Sequence, residues 1–571
     1  MIEVGIYMAG PFCAMQLADL GADVIKVENP DGGDIARDSA PFLDGESSPF
    51  IRLNRNKRSL AMNLKSPEGK ELFRELVQGA DIVVENLRPG TMGDLELDYR
   101  RLSALNPRLV YVAASGWGQT GPYSQLAGLD IMAQAMSGLM SITGEPDGNP
   151  VKVGVPICDL VCALYGTIGA LAALRVRQET GHGQLIDVSL FEAGVSLEVW
   201  EAGRYFATGE VPGPLGSAHQ TSAPFLDGES SPFIRLNRNK RSLAMNLKSP
   251  EGKELFRELV QGADVVVENL RPGTMGDLEL DYRRLSELNP GLVYVAASGW
   301  GQTGPYSQLA GLDIMAQAMS GLMSITGEPN GNPVKVGVPI CDLVCALYGT
   351  IGALAALRVR QETGHGQFID VSLFEAGVSL EVWEAGRYFA TGEVPGPLGS
   401  AHQTSAPYQA VRAADGYFTV GATTPRNWRS FCDVLDHPEW ASEERFKDNP
   451  SRHGRRDVLI PMIEQVTSSQ PRAHWVSLLQ KAGVPCAVIQ TYDQVFDDPQ
   501  LQARNFFWKG RHSKLGDIEQ IGSPIHFSNT PVRQGRAGPG LGEHTSEVLL
   551  ALGKTDAEIS ELKAKGVLGG A

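Results

Sequence analysis

Short apolar runs alternate with amphipathic stretches along the N-terminal third of the chain. Residues 1–7 and 24–27 are predicted strands, and residues 13–20 form a predicted helix that Gly21 closes. Ser66 is a predicted helix N-cap with Pro67 at the first helical position. The same pattern predicts strands at residues 82–85, 109–114 and 186–190, and helices at residues 159–177 and 191–208. Alternating strands and helices indicate a parallel sheet covered by helices.

The pattern changes after Pro407. Residues 408–420 read as strand and turn around Asp415-Gly416, and residues 428–435, 457–466 and 472–481 read as amphipathic helices. A hairpin is predicted at residues 510–526, and closing helices at residues 545–552 and 556–565. These elements predict a small α+β domain over residues 405–510. Two segments rich in Gly, Pro and Ser, residues 211–221 and 394–404, are predicted hinges.

A long internal repeat dominates the chain. Residues 39–221 recur as residues 222–404 with five substitutions and no insertion. The substituted pairs are Ile82/Val265, Ala104/Glu287, Arg108/Gly291, Asp147/Asn330 and Leu185/Phe368. This period is far longer than the ~20–50 residues of a solenoid repeat. We therefore predict a large α/β domain over residues 1–221 and a second copy of its central segment over residues 222–404.

Composition narrows the class of protein. The formal net charge of −16 argues against general nucleic-acid binding. The cysteines show no metal or redox spacing and are expected to be small buried thiols. We recognise no signal peptide and no apolar run near the ~20 residues that span a bilayer, so a cytoplasmic protein without a membrane partner is expected. Because the first predicted strand begins at Met1, we expect a few residues to be missing before it.

One carboxylate stands at a strand-to-helix junction. Asp159 follows Gly154-Val155-Pro156, and Asp342 is its twin in the second copy. An aspartate there either caps the helix or is an ionised nucleophile held by backbone amides. Spacing does not choose between these alternatives. The scattered histidines indicate no metal site, and the motifs of common hydrolases and nucleotide-binding proteins do not occur.

Three further segments have a structural and a functional interpretation. Gly10-Pro11 is either a simple turn or a loop whose N–H groups face a ligand oxygen. The basic run at residues 52–58 is either solvated surface or the grip on an anionic nucleotide tail. Residues 86–90 follow a strand end, where open α/β sheets collect ligands. A structural turn is as reasonable there as a ligand loop.

Taken in order, these segments resemble the class III CoA-transferase family, which includes formyl-CoA transferase and carnitine CoA-transferase. The matching strings lie at residues 9–13, 17–28, 54–59, 84–90, 115–122, 138–146, 154–156, 482–486 and 541–545. They cover the whole chain once the duplicate is discounted.

The resemblance implies a Rossmann-like large domain, completed by residues 511–571, and two chains interlocked as a homodimer. It identifies Asp159, with Asp342 as its twin, as the nucleophile that attacks an acyl-CoA. A mixed anhydride and then an aspartyl-CoA thioester would form, and a small carboxylic acid would take the CoA. Coenzyme A would be a substrate, and neither a metal nor a permanently bound cofactor would be needed.

The family's CoA contacts fall on fourteen positions within residues 1–221. They are Met8, Ala9, Asn29, Met62, Asn63, Leu64, Lys65, Asn86, Leu87, Arg88, Ala127, Gly128, Leu129 and Asp130. Met8, Asn29, Asp94 and Ala127 depart from the residues expected in formyl-CoA transferase. These departures argue against oxalate or formate as substrate.

Two alternatives stand beside the transferase. The related α-methylacyl-CoA racemases place a histidine where this chain has Leu129 and Leu312, so racemisation would lack its second base. A duplicated product that binds CoA without turnover is the other. Since the first copy alone follows residues 1–28 directly, we expect one competent site per chain, at Asp159. The second copy would expose a sheet edge.

Overall fold

The first copy and the residues before it fold around one mostly parallel sheet. The structure is a computed structural model that describes residues 1–218 and 223–569. The strands of this first lobe are β1 (Ile2–Val4), β2 (Val24–Glu28), β3 (Phe42–Leu43), β4 (Glu46–Ser47), β5 (Lys57–Ala61), β6 (Ile82–Glu85), β7 (Val110–Ser115) and β8 (Leu185–Ser189). Its helices are α1 (Ala9–Asp19), α2 (Ser48–Leu53), α3 (Pro67–Gln78), α4 (Thr91–Asp94), α5 (Tyr99–Leu105), α6 (Asp130–Met136), α7 (Leu139–Ile142), α8 (Ile157–Thr180), α9 (Leu190–Ser196) and α10 (Ala202–Thr208).

The second copy forms a second lobe, residues 223–404, with a smaller set of strands. They are β9 (Phe225–Leu226), β10 (Glu229–Ser230), β11 (Val265–Glu268), β12 (Val293–Ser298) and β13 (Phe368–Ser372). Its helices are α11 (Ser231–Leu236), α12 (Pro250–Gln261), α13 (Thr274–Asp277), α14 (Tyr282–Leu288), α15 (Asp313–Ser320), α16 (Leu322–Ile325), α17 (Ile340–Thr363), α18 (Leu373–Ser379) and α19 (Glu384–Thr391). The seam at residues 221 and 222 lies outside the described residues.

The C-terminal region, residues 405–569, completes the chain. Its strands are β14 (Tyr408–Ala413), β15 (Gly416–Gly421), β16 (Cys486–Val488), β17 (Phe507–His512), β18 (Gly516–Ile521) and β19 (Ile525–Phe527). Its helices are α20 (Pro425–Val434), α21 (Asn449–Gly454), α22 (Arg456–Thr467), α23 (Arg472–Lys481), α24 (Tyr492–Phe496), α25 (Pro499–Ala503), α26 (Thr545–Ala551) and α27 (Asp556–Ala564).

The sheet of the first lobe has seven strands in the order β19-β8-β7-β6-β1-β2-β5. All neighbours are parallel except β19, which runs antiparallel to β8. Strands β6 and β7 are buried along their whole length, as their valine-rich sequences require when helices cover both faces. The predicted α/β fold with a Rossmann-like parallel sheet is confirmed.

Local signals place the helices. Ser66 caps α3 by accepting the N–H of Gly69 at 3.0 Å. Helix α8 lies against the sheet through two glycines, since a side chain at Gly166 or Gly169 would meet Val112 or Ile186 at 3.2 Å or 2.7 Å. Helices α8 and α17 are also apolar and long enough, by length and composition, to cross a membrane. This corrects the expectation that no such run exists, although 67% of the apolar window of α8 is buried inside the protein.

Two further sequence predictions are corrected. Gly10-Pro11 is not a loop but lies inside the first turn of α1, where proline is tolerated because its missing N–H has no helical partner. The single helix predicted at residues 191–208 is broken into α9 and α10. The buried Glu198 and Glu201 lie at this break, where no glycine or proline marks it in the sequence.

The second lobe keeps a three-stranded sheet with the order β11-β12-β13. It has no counterpart of β1, because residues 1–38 occur once in the chain. Strand β11 is therefore an edge, and Val267 is 69% exposed where its twin Val84 is fully buried. The predicted exposed edge is confirmed.

The C-terminal region divides its contacts between the two lobes. Strands β14, β15 and β16 form a small antiparallel sheet with its own core of aromatic residues, and β15 and β16 contact α6 of the first lobe. Arg504 binds Glu192 and Asp187 of the first lobe at 2.7 Å and 2.8 Å. Helices α26 and α27 instead pack on the second lobe, where Leu255 is 3% exposed and its first-lobe twin Leu72 is 51% exposed.

Candidate active site

Asp159 lies in the first turn of α8, beside the carboxyl ends of β1 and β7. Its half-buried side chain lines a cavity of 270 Å³. The lining includes the predicted residues Met8, Ala9, Asn86, Gly128, Leu129 and Asp130. Six of the predicted CoA contacts are thus brought together with Asp159 at the sheet edge where open α/β folds bind ligands.

Asp130, and not Asp159, satisfies the amides at the start of α8. Its Oδ1 accepts the N–H of Cys158 at 2.8 Å and the N–H of Asp159 at 3.4 Å. Its Oδ2 accepts a hydrogen bond from Gln134 at 2.6 Å. Both sequence interpretations of Asp159 need correction, since its carboxyl neither caps the helix nor is held by these amides. Asp130 accepts the hydrogen bonds of these amides, and the Asp159 carboxyl takes no part in them.

The electrostatics of Asp159 follow from this arrangement. Burial, and after it the charge of Asp130, raise the pKa of Asp159 well above its ordinary value. Burial also raises the pKa of Asp130 to about 6, against the lowering effect of Lys152 and of its hydrogen bonds. Within the described residues, the Asp159 carboxyl has no hydrogen-bond partner. A carboxylate that is partly desolvated and accepts no hydrogen bond from the protein is a better nucleophile than a fully exposed one.

The turn between β1 and α1 forms one wall of the cavity. Asn86 fixes this turn by accepting the N–H of Ile6 at 2.8 Å and donating to the Ile6 carbonyl at 2.8 Å. A side chain at Gly10 would meet the Asn86 Oδ1 at 2.7 Å, so glycine is needed there. The first N–H groups of α1, at Ala9 and Gly10, lack partners within the helix and begin at this cavity.

A second cavity of 320 Å³ shares one lining residue, Ile6, with the first. Its lining contains another group of the predicted residues, Asn29, Met62, Asn63, Leu64, Lys65 and Leu87. We call the two neighbouring cavities together the groove, with the Asp159 cavity as its inner half and the Lys65 cavity as its outer half. Lys65 supplies a cation to the outer half.

Two predicted contacts lie outside both cavities. Arg88 is exposed and donates a hydrogen bond to the Gln125 carbonyl. Ala127 is half-buried and lines neither space. The structure does not bring these two residues to the groove.

The basic run at residues 52–58 forms ion pairs with carboxylates of the same chain, at the surface for Arg55 and Arg58 and in the interior for Lys57. Arg55 and Arg58 pair with acidic residues at 2.6 Å each, and Lys57 binds the buried Glu3 at 2.7 Å. Lys26 also binds Glu3, at 2.7 Å. These contacts favour a structural role for the run over a grip on a nucleotide tail.

Sequence reasoning missed the residues that come from distant parts of the chain. The small domain supplies Tyr408, whose hydroxyl accepts the N–H of Ile131 at 3.4 Å, together with Gly421 and Asn427. A further space of 30 Å³ beside Asp159 is lined by Lys152 and by four second-lobe residues, Trp383, Glu384, His402 and Gln403. No local signal marks the small-domain and second-lobe residues, because more than two hundred residues separate each of them from Asp159.

The surroundings of Asp342 repeat the local geometry but not the enclosure. Asp313 accepts the N–H of Cys341 at 2.8 Å and the N–H of Asp342 at 3.3 Å, as Asp130 does in the first lobe. Asp342 is nevertheless exposed, and Leu312 is 61% exposed. Burial and the charge of Asp313 raise the pKa of Asp342 to about 6. The second lobe has no copy of the β1–α1 turn to cover this aspartate.

Comparison with known proteins agrees with the site. The sequence pattern described as CoA-transferase family III matches residues 1–227 and again residues 223–545. This chain belongs to CoA-transferase family III.

Individual relatives extend this finding. Human succinyl-CoA:glutarate CoA-transferase is 34% identical over 388 residues, which are 67% of this chain and 89% of that protein. Acetyl-CoA:oxalate CoA-transferase from Acetobacter aceti is 36% identical over 320 residues, which are 56% of this chain and 81% of that protein. The orthorhombic crystal structure of Rv3272 from M. tuberculosis is similar with a TM-score of 0.50 and 26% identity, over 55% of this chain and 84% of that one. The chain is a CoA-transferase of class III.

Proposed function

We propose that this chain moves CoA from an acyl-CoA to a free carboxylic acid through an aspartyl-CoA thioester on Asp159. The observation that carries the proposal is the half-buried carboxyl of Asp159, which has no hydrogen-bond partner among the described residues and lines the inner half of the groove. The groove's outer half would hold the CoA, with Lys65 beside its phosphates. The inner half would hold the acyl group.

The chemistry requires only the carboxylate and oxyanion donors. Asp159 Oδ attacks the thioester carbonyl, the C–S bond breaks, and a mixed anhydride and a CoA thiolate form. The thiolate then attacks the aspartyl carbonyl, which releases the first acid as a carboxylate and leaves the aspartyl-CoA thioester. The acceptor carboxylate attacks the carbonyl of that thioester, the C–S bond breaks, and a second mixed anhydride and the CoA thiolate form. The thiolate then attacks the acceptor's carbonyl, which gives the new acyl-CoA and releases Asp159 as a carboxylate. In this proposal the free N–H groups of the first turn of α1 bind the developing oxyanion.

We propose a small dicarboxylic acid as the acceptor. The relatives are named for succinyl-CoA with glutarate and for acetyl-CoA with oxalate. The departures at Met8, Asn29 and Ala127 still argue against oxalate for this chain. A four- or five-carbon diacid therefore has more support than oxalate.

Racemisation has less support from the site. Leu129 lines the cavity where a racemase would need a histidine. His402 is the imidazole in the lining of the 30 Å³ space, and burial lowers its pKa to about 3, so it is a weak base at neutral pH.

The test is a CoA-transfer assay with succinyl-CoA or acetyl-CoA and a panel of carboxylic acids, read by mass spectrometry of the CoA esters. We expect transfer to at least one diacid, loss of transfer in Asp159→Asn, and nearly full transfer in Asp342→Asn. Exchange that persists unchanged in Asp159→Asn would contradict the proposed nucleophile. Inversion of a 2-methylacyl-CoA without exchange would favour the racemase.

A further inference from the structure

The two lobes contact each other through reciprocal pairs of interactions. The N–H of Gly154 donates to Thr326 Oγ1 at 3.0 Å, and the N–H of Gly337 donates to Thr143 Oγ1 at 3.1 Å. In each pair the partners are exchanged at the interval of the repeat, 183 residues. Exchanged identical contacts are the mark of a two-fold, self-complementary interface.

The same exchange of partners recurs in two further pairs of contacts between the lobes. Ser48 Oγ donates to the Gly386 carbonyl at 2.8 Å, and Ser231 Oγ donates to the Gly203 carbonyl at 2.7 Å. Arg52 lies over Phe389 at 4.7 Å, and Arg235 lies over Phe206 at 4.9 Å. The long helices α8 and α17 also pack against each other. One chain therefore contains a complete two-fold interface, in which the second lobe stands where a second copy of the first lobe would stand.

This interface brings second-lobe residues to Asp159. Trp383 stacks on Tyr7 with ring centroids 5.0 Å apart. The next residue, Glu384, is 4% exposed and lines the 30 Å³ space with Asp159 and Lys152. Its Oε2 is buried and has no hydrogen-bond partner among the described residues. A buried carboxyl oxygen of this kind is expensive to leave unpaired and so points to a bound group.

The dimensions and chemistry of this space fit one water molecule. A water needs roughly 10–15 Å³ of such volume and two to four polar partners. Asp159, Glu384 and Lys152 all lie in its lining and supply these partners. Lys152 is itself buried, 8% exposed, and donates to the Val153 carbonyl at 3.0 Å.

We infer that the second lobe completes the Asp159 site within a single chain, and that Glu384 is a positioning residue that orients Asp159 through one bridging water. The inference rests on the proposed function. Glu201, the twin of Glu384, occupies the reciprocal position, is 1% exposed and has an Oε2 without a hydrogen-bond partner among the described residues. Glu201 lies on the side of the exposed Asp342. The two glutamates therefore have matching surroundings in the interface, but each lies near a different aspartate.

The repeat supplies a matched control for the test. Glu384→Ala and Glu201→Ala each remove the same side chain from reciprocal places in the interface. We expect Glu384→Ala to lower kcat about 10- to 100-fold with less than a 2-fold change in KM for the acyl-CoA, while Glu201→Ala leaves both within 2-fold. Glu384→Gln, which keeps the hydrogen-bonding atoms, should restore most of kcat. Equal losses in both alanine variants, or no loss in either, would overturn the positioning role.

A second measurement does not depend on these variants. Transfer per chain should stay constant when the unsubstituted protein is diluted from micromolar to nanomolar concentration, with single chains seen by mass photometry. Activity that falls with dilution as dimers dissociate would show that another chain completes the site and would overturn the inference. An unsubstituted chain that transfers no CoA at all would instead contradict the proposed function.

Discussion

The carboxylate pair of Asp130 and Asp159 sets the pH dependence of transfer, and replacing Asp130 by asparagine tests this directly. Asp159 must be ionised to attack. Its pKa is raised by burial and by the charge of Asp130, so kcat/KM should rise with pH as the pair loses its proton. Asparagine keeps an oxygen that can accept the N–H of Cys158 but removes the charge.

The size of the effect follows from the geometry. Asp130 Oδ1 lies 3.4 Å from the Asp159 amide nitrogen. Two carboxylates about 6 Å apart at an effective dielectric constant near 20 repel by about 3 kcal/mol, or about 2 pKa units. Because Asp159 is half-buried and solvent screens part of this, we expect the rising limb of kcat/KM to move by about 1–2 pH units. Removing the negative charge favours ionisation, so the limb moves to lower pH.

The assay is kcat/KM for CoA transfer between pH 4 and 9, with the midpoint of the limb as the readout rather than its height. Asp313→Asn makes the same change beside Asp342 and should leave the midpoint in place. An unmoved midpoint in Asp130→Asn, or one that moves to higher pH, would refute the electrostatic reasoning.

Three further predictions concern stability. Lys57→Met should lower the free energy of unfolding by about 3 kcal/mol, because it removes a buried cation from Glu3. The twin residue Lys240 is exposed, so Lys240→Met should change the free energy of unfolding by less than about 0.5 kcal/mol. Urea denaturation measures both variants, and equal effects would contradict this difference between the lobes. Leu255→Ala should lower the free energy of unfolding by about 2–4 kcal/mol, because α26 and α27 cover Leu255. Leu72→Ala should lower it by less than about 0.5 kcal/mol, because Leu72 is exposed to solvent. A larger loss for Leu72→Ala than for Leu255→Ala would contradict this prediction. Burial raises the pKa of Glu85 from 4.5 to about 8, and the hydrogen bond from the Leu87 N–H partly opposes this shift. Between pH 4.5 and pH 8, the folded state therefore keeps a proton on Glu85 that the unfolded state has lost. The free energy of unfolding should therefore fall by up to about 5 kcal/mol with rising pH across this range, relative to Glu85→Gln. Denaturation at each pH measures both proteins. Parallel curves of unfolding free energy against pH for the two proteins would contradict this prediction.

Much of the fold follows from local signals in the sequence. The cap at Ser66, the valine-rich strands and the apolar length of α8 are each decided by neighbouring residues, so their prediction needs no tertiary information. The prediction of a loop at Gly10-Pro11 was wrong, because a proline in the first turn of a helix and a proline in a loop can have the same neighbouring sequence. The break between α9 and α10 was missed because no glycine or proline marks it.

The candidate site was predictable only in part. Asp159 and the groove residues carry motifs in their own segments of chain. Tyr408, Trp383 and Glu384 reach Asp159 through the packing of the small domain and of the second lobe, which no spacing in the sequence encodes. The identical sequences around Asp159 and Asp342 also conceal their difference in exposure. That difference arises from residues 1–38 and from the small domain, both of which lie against the first lobe.

The most direct test of the central claim is to trap the enzyme-bound thioester. The unsubstituted protein is incubated with an acyl-CoA, treated with hydroxylamine and digested, and the modified aspartate is located by mass spectrometry. We expect an aspartyl hydroxamate at Asp159 and little or none at Asp342. Equal modification of the two aspartates would contradict the single enclosed site, and modification of neither would contradict the aspartyl-CoA intermediate.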